Sequence, residues 1–267
     1  MSDPTSDQTT SVNISSNVVF HFTNKIENVV SILMDDFSPR YCPEYFVTQT
    51  DKTGPPPFAI AMTCFCDLPL FLIKKHLQRY GPFGLGLRKE WALKNGITPV
   101  LYVHSHSVLL EVLNKTVQKL AGMKTDDESQ NLLGYSQTII KYIKPHTGPA
   151  WRKGEREEGI RFYDEREWRY APNSRTTQKY AALSTKEYLD PATLEAANKE
   201  MADNYRLPIA FDDIQYLIVK GERDVPQMME IIKGVIEKKY PNDLLMHQMS
   251  QIWMTKIMMA ERINEDF

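Results

Sequence analysis

Apolar positions along the chain recur with two periods, and the switches between them lay out the elements. Residues 18–23, Val-Val-Phe-His-Phe-Thr, make a short apolar run of strand length, and Thr23 or Asn24 then stands where a helix N-cap is wanted. Ile26, Val29, Val30 and Leu33 follow at helical spacing. Residues 37–57 show no period and close on Gly54-Pro55-Pro56-Pro57. Proline lacks the amide donor that helices and central strands need, so this stretch is expected to be irregular. Residues 58–67 are a nearly unbroken apolar run, which predicts a buried strand. Asp67 and Pro69 then open a short helix that runs through Tyr80. Gly81, Gly84 and Gly86 interleave with Phe83, Leu85 and Leu87, predicting a strand that another backbone or a ligand approaches closely.

The second half alternates in the same way. Residues 91–96 read as a helical turn and 99–103 as a strand. Residues 107–119 and 131–143 form a helical hairpin around the polar loop 125–130. A long polar loop is expected over 144–159, a charged strand over 160–170, a mainly helical stretch over 184–206 and an apolar strand over 214–219. In the Met-rich C-terminus, Leu245, Met249, Ile252, Trp253, Lys256 and Met259 step by three or four, predicting one amphipathic helix over about 242–262. Such a stripe normally packs on a core, and an exposed part of it would suit an adaptable partner. Residues 1–17 are Ser/Thr/Asp-rich without an apolar centre, which reads as a disordered leader and not a secretory signal. No repeat and no linker divides the rest. The layout is a single α+β domain over 18–267 with a helical insertion at about 107–143.

Composition narrows the function classes. With 267 residues, 42% hydrophobic and 25% charged, the chain can build a core without disulfides or metal. A net charge of −2 and a pI near 6.3 remove any global electrostatic case for nucleic acid. No apolar run approaches the roughly 20 residues that span a bilayer, so the membrane is not expected and the cytoplasm is the default. Cys64 and Cys66 lie two apart on a strand and point the same way, too cramped for a mutual disulfide. With His76 they would still lack a fourth zinc ligand, and Asp67 completes the set poorly, so no metal is expected. Gly84-x-Gly86 has no strand–Gly-x-Gly-x-x-Gly–helix context and is not a dinucleotide loop. Trp151-Arg152-Lys153, with Arg156 and Arg161, offers a flat ring and cations that suit a nucleic-acid backbone. Glu155, Glu157 and Glu158 dilute that charge, favouring a solvated loop.

Two longer patterns carry a resemblance. Val19-Phe20-His21-Phe22-Thr23 followed by Asn28, Ile32 and Leu33 resembles the opening strand and helix of the ADP-ribosyltransferase superfamily. Met62-Thr63-Cys64-Phe65-Cys66-Asp67-Leu68-Pro69, then His76, Tyr80-Gly81, Gly84-Leu85-Gly86-Leu87 and Lys89-Glu90-Trp91, resembles the AbiGi family of bacterial abortive-infection proteins. That likeness runs from about Val18 to Arg169, weaker beyond. The first resemblance implies an ADP-ribosyltransferase-like fold, a split β-sheet core of two small packed sheets flanked by helices, with NAD as substrate. His21 and Thr23, two apart on a strand and so facing one side, would hold the nicotinamide ribose, and Tyr80 would stack on the nicotinamide.

The segment 161–170 supplies the remaining chemistry. On a continuous strand Tyr163, Glu165, Glu167 and Arg169 share a face, and two carboxylates so placed repel unless something uses or neutralises them. Arg166 and Arg169 offer a neutralising ladder at a sheet edge. The alternative is a likeness to the Glu-x-Glu strand of some ADP-ribosyltransferases. That likeness implies Glu167 as the carboxylate that stabilises an oxocarbenium-like transition state, and Glu165 on the acceptor side. The function so implied is a phage-defence toxin that modifies RNA or protein and is held by a partner from its operon. The rival is an antitoxin without catalysis, a binding protein that restrains a separate toxin.

Overall fold

The computed structural model describes residues 16–46, 53–122, 127–152, 154–172, 182–242, 244, 248 and 250–266. The expected leader therefore lies almost wholly outside the described residues, as do Lys153, Leu245 and Met249. β1 (Val18–Thr23) and α1 (Ile26–Asp35) lead to β2 (Arg40–Pro43) and β3 (Phe58–Cys66). Next come α2 (Lys74–Tyr80), β4 (Phe83–Arg88), α3 (Lys89–Lys94), β5 (Thr98–Pro99) and β6 (Leu101–Val103). α4 (Val108–Ala121) and α5 (Asp127–Ile140) are the inserted helices, followed by β7 (Ile143–Pro145), β8 (Thr147–Arg152), β9 (Glu155–Arg161) and β10 (Glu167–Tyr170). The remainder holds β11 (Leu183–Ser184), α6 (Thr185–Leu189), α7 (Pro191–Asn204), β12 (Ile214–Val219), α8 (Val225–Lys239), α9 (Ser250–Met254), β13 (Ile257–Met259) and α10 (Ala260–Asp266).

The apolar runs become the centre of one mixed sheet ordered β13-β12-β4-β1-β3-β10-β5. β2 and β11 pair with the first half of β3. Two packed sheets were expected; instead β3, nine residues long, is shared. Its C-terminal end serves β1 and β10, and its N-terminal half serves β2 and β11. β1 meets β3 at a single register position, Phe20 opposite Cys66, so the sheet opens beyond that point. Small pairs β6–β7 and β8–β9 stand apart from the main sheet.

Strand alternation divides the core in two. Val19, Phe65, Leu85, Leu87 and Trp168 belong to one buried cluster, with α1, α3 and α8 supplying Val29, Leu33, Trp91, Met228, Ile232 and Val235. Val18, Phe20, Cys66 and Ile218 belong to the other, with Leu77 of α2 and Ile263 of α10. Gly81 and Gly84 answer to neighbouring backbone, and Gly86 to the Phe20 and Tyr216 side chains. A Cβ on Gly84 would stand 2.5 Å from the His21 carbonyl oxygen, and one on Gly81, at φ 120°, would stand 2.3 Å from the Asn24 Cα.

Several expectations are corrected. Neither Thr23 nor Asn24 caps α1: Lys25 is the N-cap residue, without a side-chain cap bond, and Thr23 Oγ1 accepts from Asn28 Nδ2 at 2.6 Å. The irregular stretch 37–57 contains β2. The expected loop 144–159 is mostly strand, the end of β7 and much of the β8–β9 hairpin. The charged strand 160–170 is broken: residues 162–165 form a 3-10 turn, and Arg166 at φ 44° reverses the chain before β10. The single C-terminal helix is α9, an edge strand β13 that pairs parallel with β12, and α10.

Candidate functional site

Between β10, β7, α2 and the β8–β9 hairpin lies a cavity of about 420 Å³. Its polar wall is built around Lys144, a buried lysine on β7. Lys144 Nζ donates to Glu167 Oε2 at 2.6 Å and Glu165 Oε2 at 2.8 Å, and stands 3.6 Å from Glu44 Oε1 and 4.7 Å from the Phe162 ring centroid. Arg169, fully buried on β10, donates from Nε to Glu167 Oε1 at 2.7 Å, from Nη2 to Glu44 Oε1 at 2.9 Å and from Nη1 to the Lys141 carbonyl at 2.6 Å. On the other side of Glu165, Tyr80 OH donates to Oε1 at 2.7 Å, and Arg152 Nη2 reaches both the Tyr80 oxygen at 3.0 Å and Oε1 at 3.3 Å. The Glu167 amide donates to Tyr102 OH at 2.8 Å.

Three carboxylates, Glu44, Glu165 and Glu167, thus face Lys144, Arg152 and Arg169, with Arg79 also 3.7 Å from Glu165 Oε1. Burial alone would raise the Glu167 carboxyl, but Arg169 and Lys144 outweigh it and hold it below the ordinary range. Glu165 follows the same pattern, burial opposing and Lys144 and Tyr80 prevailing. Lys144 would be lowered by burial, yet Glu167, Glu165 and Glu44 hold it well above its usual value. The site is a closed cluster of paired charges in which Glu165 and Glu167 stay ionised.

The sign of the pH dependence follows. Two carboxyls lowered in the fold contribute stability that is present above the unfolded carboxylate range and lost as pH falls through their folded values. The contribution of Glu165 and Glu167 to the urea midpoint is expected to hold steady from about pH 5 to 8 and to fall below about pH 4, where unfolded glutamates take up protons. In Glu165→Gln that acid limb should be shallower; an acid limb identical to wild type would show that Glu165 does not drive it.

The structure brings together three of the residues singled out in the sequence: Tyr80, Glu165 and Glu167. His21 lines the same cavity, whereas Thr23 is not among its lining residues. Glu167 and Phe20 both lie opposite Cys66 in register, so Glu167 shares the face of Phe20 while His21 takes the opposite one. His21 donates from Nδ1 to the Cys64 carbonyl at 2.9 Å, packs edge-on to Phe37, and meets the cavity only where β1 and β3 part. Burial pushes its pKa down against that hydrogen bond. Arg169 neutralises Glu167 as the sequence suggests, but from the interior and not at an edge, and Lys144 takes the place expected for Arg166. Trp151 and Arg152 turn inward to the cavity wall, the reverse of a solvated loop. Lys144 and Glu44 carry no sequence signal, because nothing in Ile143-Lys144-Pro145 or Pro43-Glu44-Tyr45 distinguishes them from surface charges. Cys42, Cys64 and Cys66 are free thiols on the cavity wall, and burial, with Glu44 next, pushes Cys42 up to about 11. Among the described residues no helix is long and apolar enough to cross a membrane.

Comparison with known proteins places this geometry in a context. A family model described as “Putative abortive phage resistance protein AbiGi, antitoxin” matches residues 35–220. That span includes Tyr80, Glu165 and Glu167 and leaves out His21 and Thr23. The chain is also similar to the abortive phage resistance protein AbiGi of Lactococcus lactis subsp. cremoris, 28% identical over 253 residues that cover 86% of this chain and 99% of that protein. No solved structure matches the chain.

Proposed function

We propose, because the chain belongs to the AbiGi family of abortive phage resistance proteins, that it acts as the antitoxin of a phage-defence pair, binding and restraining a separate toxin without catalysis. The observation that carries this reading is the inserted hairpin. The inner face of α4 buries Leu110 against Val103 and Ile143, yet Val108, Leu109 and Val112 stand exposed on its outer side, Val108 at 73%. α5 adds exposed Leu132 and Ile139, seven residues apart on one face. A surface helix needs one apolar face to hold its place. A second exposed one marks a partner site. The cavity supports the same reading from the other side, since both oxygens of Glu167 and of Glu165 are already engaged by internal cations or Tyr80.

A second reading keeps the cavity as an NAD-dependent ADP-ribosyltransferase site acting on RNA or protein. The meeting of Tyr80, Glu165 and Glu167 in one wall favours it. In that reading Glu167 is the transition-state carboxylate, His21 lines the same cavity while Thr23 does not, and an ADP-ribosyltransferase-like fold is the setting. One experiment separates the two. Expressed alone, the protein should leave growth and cellular NAD unchanged, and it should restore growth to cells that express the toxin encoded beside it. Growth arrest with loss of NAD from the protein alone would overturn the antitoxin reading in favour of the second.

A further inference from the structure

The β8–β9 hairpin has features that neither reading uses. Among the described residues its two strands pair only with each other, and β9 is exposed along nearly its whole length. Its base is fixed: Thr147 pairs with Arg161, Gly148 lies against Phe162, and the Tyr163 amide donates to the His146 carbonyl at 3.3 Å. Midway the register slips. Gly148 pairs with Ile160 and Ala150 with Glu157, so Glu158 and Gly159 face Pro149 alone. Gly159 sits at φ 67°, the left-handed conformation that glycine adopts without strain, and such a bulge bends a ribbon. Beyond the bend, Ala150, Trp151 and Arg152 form one wall of the cavity.

The outer half is held by charge. Arg152 donates to Tyr80 and Glu165, its guanidinium 5.0 Å from the Tyr80 ring centroid, and Arg79 Nη2 donates to Glu157 Oε2 at 3.4 Å. The latch can let go without orphaning what it grips. With Arg152 removed, Glu165 keeps Lys144 at 2.8 Å and Tyr80 at 2.7 Å. The other ionised partner of the hairpin, Arg79, is partly exposed and opens to solvent.

We propose that the outer half of the β8–β9 hairpin is a lid on the cavity, bending at Gly159 and latched by Arg152 on Tyr80 and Glu165. Closed, it shields the charged cluster; open, it admits a small molecule. The inference is independent of which function the protein has. The chain reports on its own lid, because all three of its cysteines line this cavity.

The test is alkylation of native protein with N-ethylmaleimide, read by mass spectrometry at Cys42, Cys64 and Cys66, for wild type and Arg152→Gln. The variant should label about tenfold faster or more, the equilibrium factor for losing one charge-assisted hydrogen bond. High salt should speed wild type more than the variant, which keeps only the Arg79–Glu157 pair. Hydrogen exchange separates a lid from general loosening: amides of 149–158 should exchange faster in the variant while those of β4 keep wild-type protection. Equal labelling rates in the two proteins, or faster exchange spread into β4, would overturn the proposal.

Discussion

Lys144→Met is expected to lower the melting temperature by roughly 10 °C, since losing one partner of a buried ion cluster costs about 3–5 kcal/mol and each kcal/mol shifts a chain of this size by about 2–4 °C. The methionine keeps the stem's volume, so the loss is electrostatic. Without the ammonium, Glu165 retains Tyr80 and Arg152 at the rim, but its Oε2 faces no cation, and Glu167 retains Arg169 alone. Two carboxylates then sit close together in a buried site without the cation that bridged them, since Arg79 and Arg152 reach only Glu165 and Arg169 only Glu167 of the two. The physics predicts a partner effect too. Removing a charge of the opposite sign as well, in Lys144→Met/Glu165→Gln, should recover much of the loss, because a buried pair roughly breaks even against neutral groups of the same shape. Thermal unfolding followed by circular dichroism measures both. A single variant that melts within a degree or two of wild type would mean that Lys144 is solvated and that the cluster is not closed.

The cluster also shows where reading the chain alone stops. β1, β3, β4 and β12 are legible because each is an apolar run of strand length, and α1 because its apolar residues recur at helical spacing. Glu165 and Glu167 stand out because two carboxylates so close demand an explanation. Their partners do not. Lys144 is 21 residues from Glu165, Glu44 is more than a hundred from either glutamate of that strand pattern, and each is a lone charge in ordinary surroundings. The break before β10 is hidden for a different reason. Arg166 takes the left-handed conformation without the glycine that usually announces it, so a strand pattern ran straight through a turn. In the β8–β9 hairpin the turn is marked by Gly154, at φ 84°, but the Glu and Arg residues of β9 lack the apolar alternation by which a half-buried strand is recognised. The C-terminal strand β13 hides inside a Met-rich stretch whose spacing suits a helix equally well, and its pairing with β12 decides the outcome. The transferase motif shows the limit of spacing: it places His21 and Glu167 on strands, but only the register shows that they take opposite sheet faces, while both line one cavity.

The substitutions Val112→Asp and Ile139→Asp together are expected to abolish rescue of cells from the partner toxin while leaving the fold intact. Both side chains are more than half exposed, Val112 at 52% and Ile139 at 55%, so each change alone alters stability by no more than about 0.5 kcal/mol, as surface substitutions do. Neither touches the cavity or the lid. If the outer face of α4 and α5 is where the toxin docks, each aspartate carries a charge into an apolar contact that offers it no partner. Central interface positions cost about 2–4 kcal/mol when altered, and two of them weaken binding by roughly a thousandfold or more. Growth under toxin expression gives the first readout, and capture of the toxin by the purified protein gives the second. Unchanged melting temperature with lost capture and lost rescue is the expected triple. A folded double variant that still captures the toxin and restores growth would move the docking site off the inserted helices, and the exposed apolar face of α4 and α5 would then need another occupant.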